Sequence, residues 1–327
     1  MKKTLLLLML TSLFFLASAQ DKPAYILYNK NGKEVKFSKM LKELEKADMV
    51  FFGELHTDPI AHWLQYELTE ALYESRGEDL VLGAEMFESD GQLIFDEYLA
   101  GIHPTDKYEA EMRLWNNYKT DYKPVVEFAK DKGIPYIATN IPRRYASLVH
   151  KGGFEALEKL SPKAKALIAP LPFPYDPELE CYKNMLDMGK MGKSKKMPSS
   201  APAMKTKPAA DTTKAPAAIP GKAAPAMPAM SKSTLANLPK AQAAKDATMA
   251  HFILQNWETG KLMFHFNGSY HSRDHQGIIW YLEQQEKNLN IVTISTVLQE
   301  DISTLEDENR EADYIICVPE AMTRTSR

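Results

Sequence analysis

Four polar residues stand where short apolar runs stop: Glu54 and His56, separated by Leu55, then Glu85, and far downstream His271. In extended backbone, side chains alternate, so Glu54 and His56 point the same way. Two carboxylates and two imidazoles form a set suited to a divalent metal ion or to acid/base activation of water. In the metal reading Glu54, His56 and His271 hold the ion and Glu85 is the general base. In the metal-free reading His271 and Glu54 act on water directly. The plainer reading of each residue alone is structural, with Glu54 capping the next helix and His271 a satisfied histidine at the sheet edge. All four together favour a shared site, because unpaired buried charges are expensive.

A second group follows another apolar run, Asn140-Ile141-Pro142-Arg143-Arg144-Tyr145. Arg143 and Arg144 open a helix, where unpaired N–H groups and the positive dipole end already favour anions, so the pair can receive a carboxylate such as a porphyrin propionate or an anionic substrate. The plainer alternative pairs one of them with Glu85 or Asp246. Tyr145 is either an aromatic packed on the sheet or a phenolate of the kind haem iron accepts as axial ligand. Tyr270 precedes His271 in Gly268-Ser269-Tyr270-His271.

Bringing such distant residues together requires a sheet. Strand-like runs cover 49–52, 80–86, 135–139, 262–266, 291–295 and 314–318, and helical patterns fill the intervals, which predicts parallel β-α units. In a parallel sheet the carboxyl ends of the strands share one rim and ligands bind outside it. Thr57-Asp58-Pro59 predicts a capped helix ending near Arg76-Gly77, a second helix follows Pro142 and stops at Gly152-Gly153, and a third covers 238–256. Two strand-like runs around Asn29-Lys30-Asn31-Gly32 predict a hairpin over 25–37. The segments 98–124 and 157–185 read as helical additions forming a smaller subdomain.

With 327 residues, 44% hydrophobic and 25% charged, the composition is globular, and a net charge of −3 offers nothing to nucleic acid. Lys2 and Lys3, the apolar run 5–16 and Ala17-Ser18-Ala19 predict a signal peptide over 1–19 and hence a secreted or periplasmic protein. No Cys stands at the cleavage site, so no lipid anchor is expected there. Residues 187–233 hold nine Lys against Asp187 and Asp211 and lack Val, Phe, Tyr and Trp, which predicts a disordered insertion between the two parts, 20–186 and 234–327, of one domain. Cys181 and Cys317 are either one disulfide or two buried thiols.

Phe52-Gly53-Glu54-Leu55-His56, Ala84-Glu85-Met86-Phe87 followed by Tyr98-Leu99-Ala100-Gly101, Asn140 to Ala146, Leu171-Pro172-Phe173-Pro174, Lys245-Asp246-Ala247-Thr248-Met249-Ala250 and Gly268-Ser269-Tyr270-His271 occur in order. Over 47–282 the chain resembles ChaN-type haem-binding uptake proteins of the Tiki superfamily, which is related to erythromycin esterase and TraB proteins. The resemblance implies an α/β core with helical additions, a periplasmic or surface location, and haem binding in iron uptake. It also implies a homodimer around haem, outer-membrane uptake machinery as partner, and a Tyr axial ligand, for which Tyr145 stands first and Tyr270 second. The missing lipobox Cys departs from the pattern. In the wider superfamily the Glu-x-His, Glu and Gly-x-x-His elements match Glu54 and His56, Glu85, and Gly268 with His271. These elements imply a metal-assisted site for ester, lactone or peptide hydrolysis.

Overall fold

Runs rich in β-branched and aromatic residues become strands where both faces can be covered. The computed structural model describes residues 22–191 and 236–325. Among them are seven strands: β1 (Ile26–Asn29), β2 (Met49–Glu54), β3 (Leu80–Glu88), β4 (Tyr136–Asn140), β5 (Leu262–Gly268), β6 (Ile291–Gln299) and β7 (Tyr314–Pro319). They form one sheet in the order β1-β7-β6-β2-β5-β3-β4, parallel throughout except for β1 on β7. The six expected runs are all strands, and those at 49–52, 80–86, 135–139, 262–266 and 291–295 run past their expected ends onto polar residues that follow. Strands β2, β3 and β5 are buried along their whole length, which is why they read as continuous apolar runs rather than alternating ones.

Ten helices accompany the sheet: α1 (Phe37–Leu44), α2 (Pro59–Arg76), α3 (Gln92–Leu99), α4 (Thr105–Glu111), α5 (Lys123–Lys132), α6 (Arg143–Gly152), α7 (Pro162–Lys165), α8 (Glu180–Met191), α9 (Leu238–Asn256) and α10 (Ile278–Gln285), counted among the described residues. They cover two faces. Val50, Phe52, Leu82, Phe264 and Phe266 pack under α2, with Tyr108, Tyr118 and Tyr122 from the helical additions in the same core. The alternate residues Met49, Phe51, Val81 and Met263 pack against α9 and α10. Helix α9 is buried at Ala241, Ala243, Ala244, Ala247 and Ala250, and these small side chains let its axis approach the sheet closely. None of the helices among the described residues is long and apolar enough to cross a membrane.

One expectation needs correction. The hairpin over 25–37 shrinks to β1, a turn with Gly32 at φ +73°, and a single antiparallel bridge between Tyr28 and Glu34. Strand β1 instead pairs with β7, and the chain enters α1, which buries Met40 and Leu44. Of the two alternatives for the cysteines the structure has two buried free thiols, packed in separate clusters, and burial pushes the pKa of both up to about 12. Helix α8 continues to Met191, into the start of the expected insertion; the rest of that insertion, and the expected signal peptide, lie outside the described residues.

Helix α2 starts as expected. Asp58, fully buried, accepts from Ile60 N and Ala61 N at 3.0 Å, and its other oxygen takes Arg324 Nη1 at 2.7 Å. Losing both cap and counter-ion should cost about 2 kcal/mol or more in Asp58→Ala, while Asp58→Asn keeps an acceptor and recovers about half. Urea denaturation measures both; equal losses would show that the cap contributes nothing.

Candidate functional site

The carboxyl ends of β2, β5 and β3 lie side by side, with β5 in the middle and Glu54 level with Gly268. Alternation along β2 puts Glu54 on the α2 face, together with Val50 and Phe52. Alternation along β3 puts Glu85 on the opposite face, toward α9. Each acid therefore acquires its own partners.

Glu54 is 1% exposed and accepts from Gln65 Nε2 at 2.6 Å, Tyr122 Oη at 2.7 Å and His56 Nδ1 at 2.8 Å, with His62 Nδ1 3.7 Å away. Burial raises its pKa, but the imidazoles of His62 and His56 and the Gln65 amide outweigh burial, and the net shift is downward. Behind it, Asp121 Oδ2 accepts from Asn117 Nδ2 at 2.6 Å and Thr325 Oγ1 at 2.6 Å, and lies 3.4 Å from His62 Nε2.

On the other face His271 is clamped. Its Nδ1 meets Asp246 Oδ1 and its Nε2 lies 3.1 Å from Glu85 Oε1. Tyr182 Oη donates to Asp246 Oδ2 at 2.8 Å, Gly268 N donates to Glu85 Oε2 at 2.8 Å, and the Gln242 amide lies against the ring. Burial lowers the His271 pKa, yet the two carboxylates raise it further, to about 9. Burial likewise raises Glu85, but His271, then Lys245 and His56, hold it well below the usual carboxylate range. Below this clamp His265 accepts from or donates to Thr139 Oγ1 at 2.8 Å, and burial takes its pKa down to about 4.

The two constellations meet over Gly268. A Cβ there would stand 2.9 Å from His56 Cε1 and 3.5 Å from Glu85 Oε2. Two clefts open at this junction and share His56, Glu85 and Lys245 as walls. One, about 560 Å³, extends past Asn140 and Arg143 to Trp115; the other, about 640 Å³, extends past Tyr270, Met185, Leu298 and Arg324.

The structure thus brings Glu54, His56, Glu85, Asn140, Asp246, Tyr270 and His271 to one rim. The expected Glu54-His56-His271 metal triad is not assembled, because His271 has a carboxylate at each nitrogen and Glu54 faces the opposite side of the sheet. Among the described residues no group of three or more His, Cys, Asp or Glu is arranged to hold a metal ion. Arg143 pairs with Glu88 through its backbone N and its Nε, Arg144 pairs with Asp90, and Arg113 bridges both acids, so neither expected partner, Glu85 or Asp246, is used. Strand β3 runs on to Glu88 and the following turn, Ser89–Gly91, presents Asp90 to the start of α6. Tyr145 is buried against α9, with the Arg144 guanidinium 4.4 Å from its ring centre; Tyr270 is 38% exposed on a cleft wall, with Arg273 4.0 Å from its ring centre. Sequence reasoning missed His62, Gln65, Tyr122, Tyr182 and Lys245. For two of them a signal was present: His62 lies one turn after the Asp58 cap, and Lys245 adjoins Asp246.

A family model described as haem-binding uptake, Tiki superfamily, ChaN matches residues 40–282. Among solved structures, the ChaN protein of Campylobacter jejuni, described with cofacial haem binding, superposes with a TM-score of 0.61 at 18% identity, over 91% of this chain and 98% of that one. At that identity the likeness establishes the fold. A succinoglycan biosynthesis protein (TM-score 0.41, 12% identity, 80% of this chain and 68% of that one) and the type III effector HopBA1 (0.39, 12%, 86% and 91%) are more distant. No curated protein matches the chain.

Folded His271 keeps its proton to about pH 9, whereas a free imidazole releases it near 6.5. The clamp's stabilisation is therefore complete below about pH 6.5 and lost as pH rises through about 9. Thermal melts should show Tm falling across this window, and Asp246→Asn, which removes one carboxylate charge, should shift the fall to lower pH. A wild-type Tm that stays flat from about pH 7 to 9.5 refutes the clamp.

Proposed function

Because the chain belongs to the ChaN family of haem-binding uptake proteins in the Tiki superfamily, we propose that it binds haem in the service of iron uptake. The observation that supports this reading is the composition of the larger cleft. A porphyrin needs a broad apolar wall, cations for its propionates and a ligand for its iron. Met185 and Leu298 offer the wall, Arg324 a guanidinium, and Tyr270 a phenol at the surface. The residues present fit the group. Haem, when bound there, supplies a redox-active iron centre in transportable form. Tyr270 would hold the iron and Arg324, itself fixed by Asp58, would orient a carboxylate. Tyr145 would need its core packing undone to reach a ligand, which ranks it below Tyr270.

Export by the N-terminal signal, residence in the periplasm or outside the cell, a homodimer around the bound haem and delivery to outer-membrane uptake machinery belong to the same proposal. Their support is the pattern of residues 1–19 and the family membership.

The second reading is hydrolysis of an ester, lactone or peptide bond, and it has one observation in its favour. With Nδ1 held by the ionised Glu54, His56 presents Nε2 at the junction of the two clefts, the arrangement of an oriented general base. The metal-assisted form lacks such support.

Haemin titration tests the first reading. The Soret band should shift at micromolar protein, Tyr270→Phe should weaken or abolish the shift, and Tyr145→Phe should leave it. An unchanged haemin spectrum in the wild-type protein defeats the proposal. Turnover on an ester panel that disappears in His56→Ala would favour the second reading instead.

A further inference from the structure

The smaller cleft contains two polar groups that the interactions around it leave uncommitted. Asn140 ends β4 and is 8% exposed. The β3–β4 ladder is interrupted between Ala84 and Glu88, and Asn140 Nδ2 bridges the gap by donating to the Glu85 carbonyl at 2.9 Å. Asn140 lines the cleft, and its Oδ1 is buried with no hydrogen-bond partner. A buried acceptor without a donor costs about 1–3 kcal/mol, and such atoms are rare in native proteins. The second group is the Lys245 ammonium. Among the described residues it makes no ion pair within 4 Å, and it acts on Glu85 only from longer range. The carboxylates near it are already matched, Glu85 by His271 and Glu88 by Arg113 and Arg143.

Apolar side chains share the cleft lining with them. Trp115, Leu114 and Met86 are among them, and the Arg143 guanidinium, engaged through Nε, adds positive charge to the lining. An unpaired cation, an unpaired acceptor and apolar side chains lining one cleft define a ligand by complementarity: an anion, a donor and an apolar body in one molecule.

We propose that the cleft bounded by Asn140, Lys245 and Trp115 binds a small organic carboxylate that also carries an N–H or O–H donor, an acylamino or hydroxy acid with an apolar side chain. The carboxylate pairs with Lys245, the donor satisfies Asn140 Oδ1, and the apolar body lies on the aromatic wall. A haem propionate has the charge without the donor, so it satisfies only half of the site.

Three probes separate these features in calorimetric titrations of the full chain: N-acetyl-L-phenylalanine has both groups, 3-phenylpropionate lacks the donor, and N-phenethylacetamide lacks the charge. The first should bind about tenfold more tightly than either of the others, the increment expected of one charged or one buried hydrogen bond. Lys245→Gln, a partly exposed position, should reduce N-acetyl-L-phenylalanine to the level of the amide. Asn140→Ala should erase its advantage over 3-phenylpropionate, with thermal melting confirming the fold. Protein loaded with haemin should still bind N-acetyl-L-phenylalanine, and protein that takes up no haemin but discriminates among the probes would uphold this site while refuting the haem reading. Equal binding of the three probes, no binding at millimolar concentration, indifference to Lys245→Gln, or complete loss on haemin loading would each overturn it.

Discussion

The rim depends on a residue with no side chain. Strand β5 lies between β2 and β3, and it ends in Gly268 where its neighbours carry Glu54 and, one residue past the paired positions, Glu85. Those acids point to opposite faces, and any Cβ at 268 would stand between His56 and Glu85. Without it, His56 from one constellation and Glu85 from the other close over the end of the central strand. Gly53 makes a similar allowance, since a Cβ there would lie 2.9 Å from the Ser269 Cα and push away the turn that delivers His271. Two close approaches of backbone and side chain thus convert a sheet edge into a junction.

What surrounds the junction follows from the cost of burying charge. A carboxylate removed from water must recover its lost hydration from fixed partners. Glu54 recovers it from an amide, a phenol and imidazoles on the α2 face; Glu85 recovers it from an imidazolium and a backbone N–H on the α9 face. The clamp around His271 is self-consistent, for its two carboxylates hold the imidazolium, and the imidazolium in turn keeps Glu85 ionised. Both sets are rigid because every member has more than one contact. The groups able to respond to a ligand are those at the cleft walls: the outer nitrogen of His56, the Lys245 ammonium and the Tyr270 ring.

The sheet was legible because its signals are local. Apolar runs bounded by polar residues located the six strands, and Asp58-Pro59 and Gly152-Gly153 marked helix ends through capping and backbone freedom. Convergence at one rim was legible too, since parallel strands leave their carboxyl ends together. The face on which each acid lies was not, because it depends on register across β5, a relation between segments rather than a property of either. The arginine partners were hidden for the same reason: Glu88 and Asp90 lie past the point where β3 was expected to stop, and only the extended strand brings them to α6. Lys245 carried no role in the sequence, because only the packing of α9 sets it between two clefts.

That position has a consequence for how the clefts relate. One ammonium lines both, so a carboxylate seated in either draws on the same charge. The loss imposed on the other cleft is bounded by what Lys245 contributes there, about 1.5–3 kcal/mol for a charged hydrogen bond. By reciprocity the effect is equal in both directions. Two anionic ligands therefore weaken one another without excluding one another, because each cleft keeps a second cation of its own, Arg143 in one and Arg324 in the other. An anion in one cleft and a neutral ligand in the other would scarcely interact. The competition of two such anions for positive charge thus runs through a single side chain on α9, and its strength depends on how far their carboxylates would stand from that ammonium.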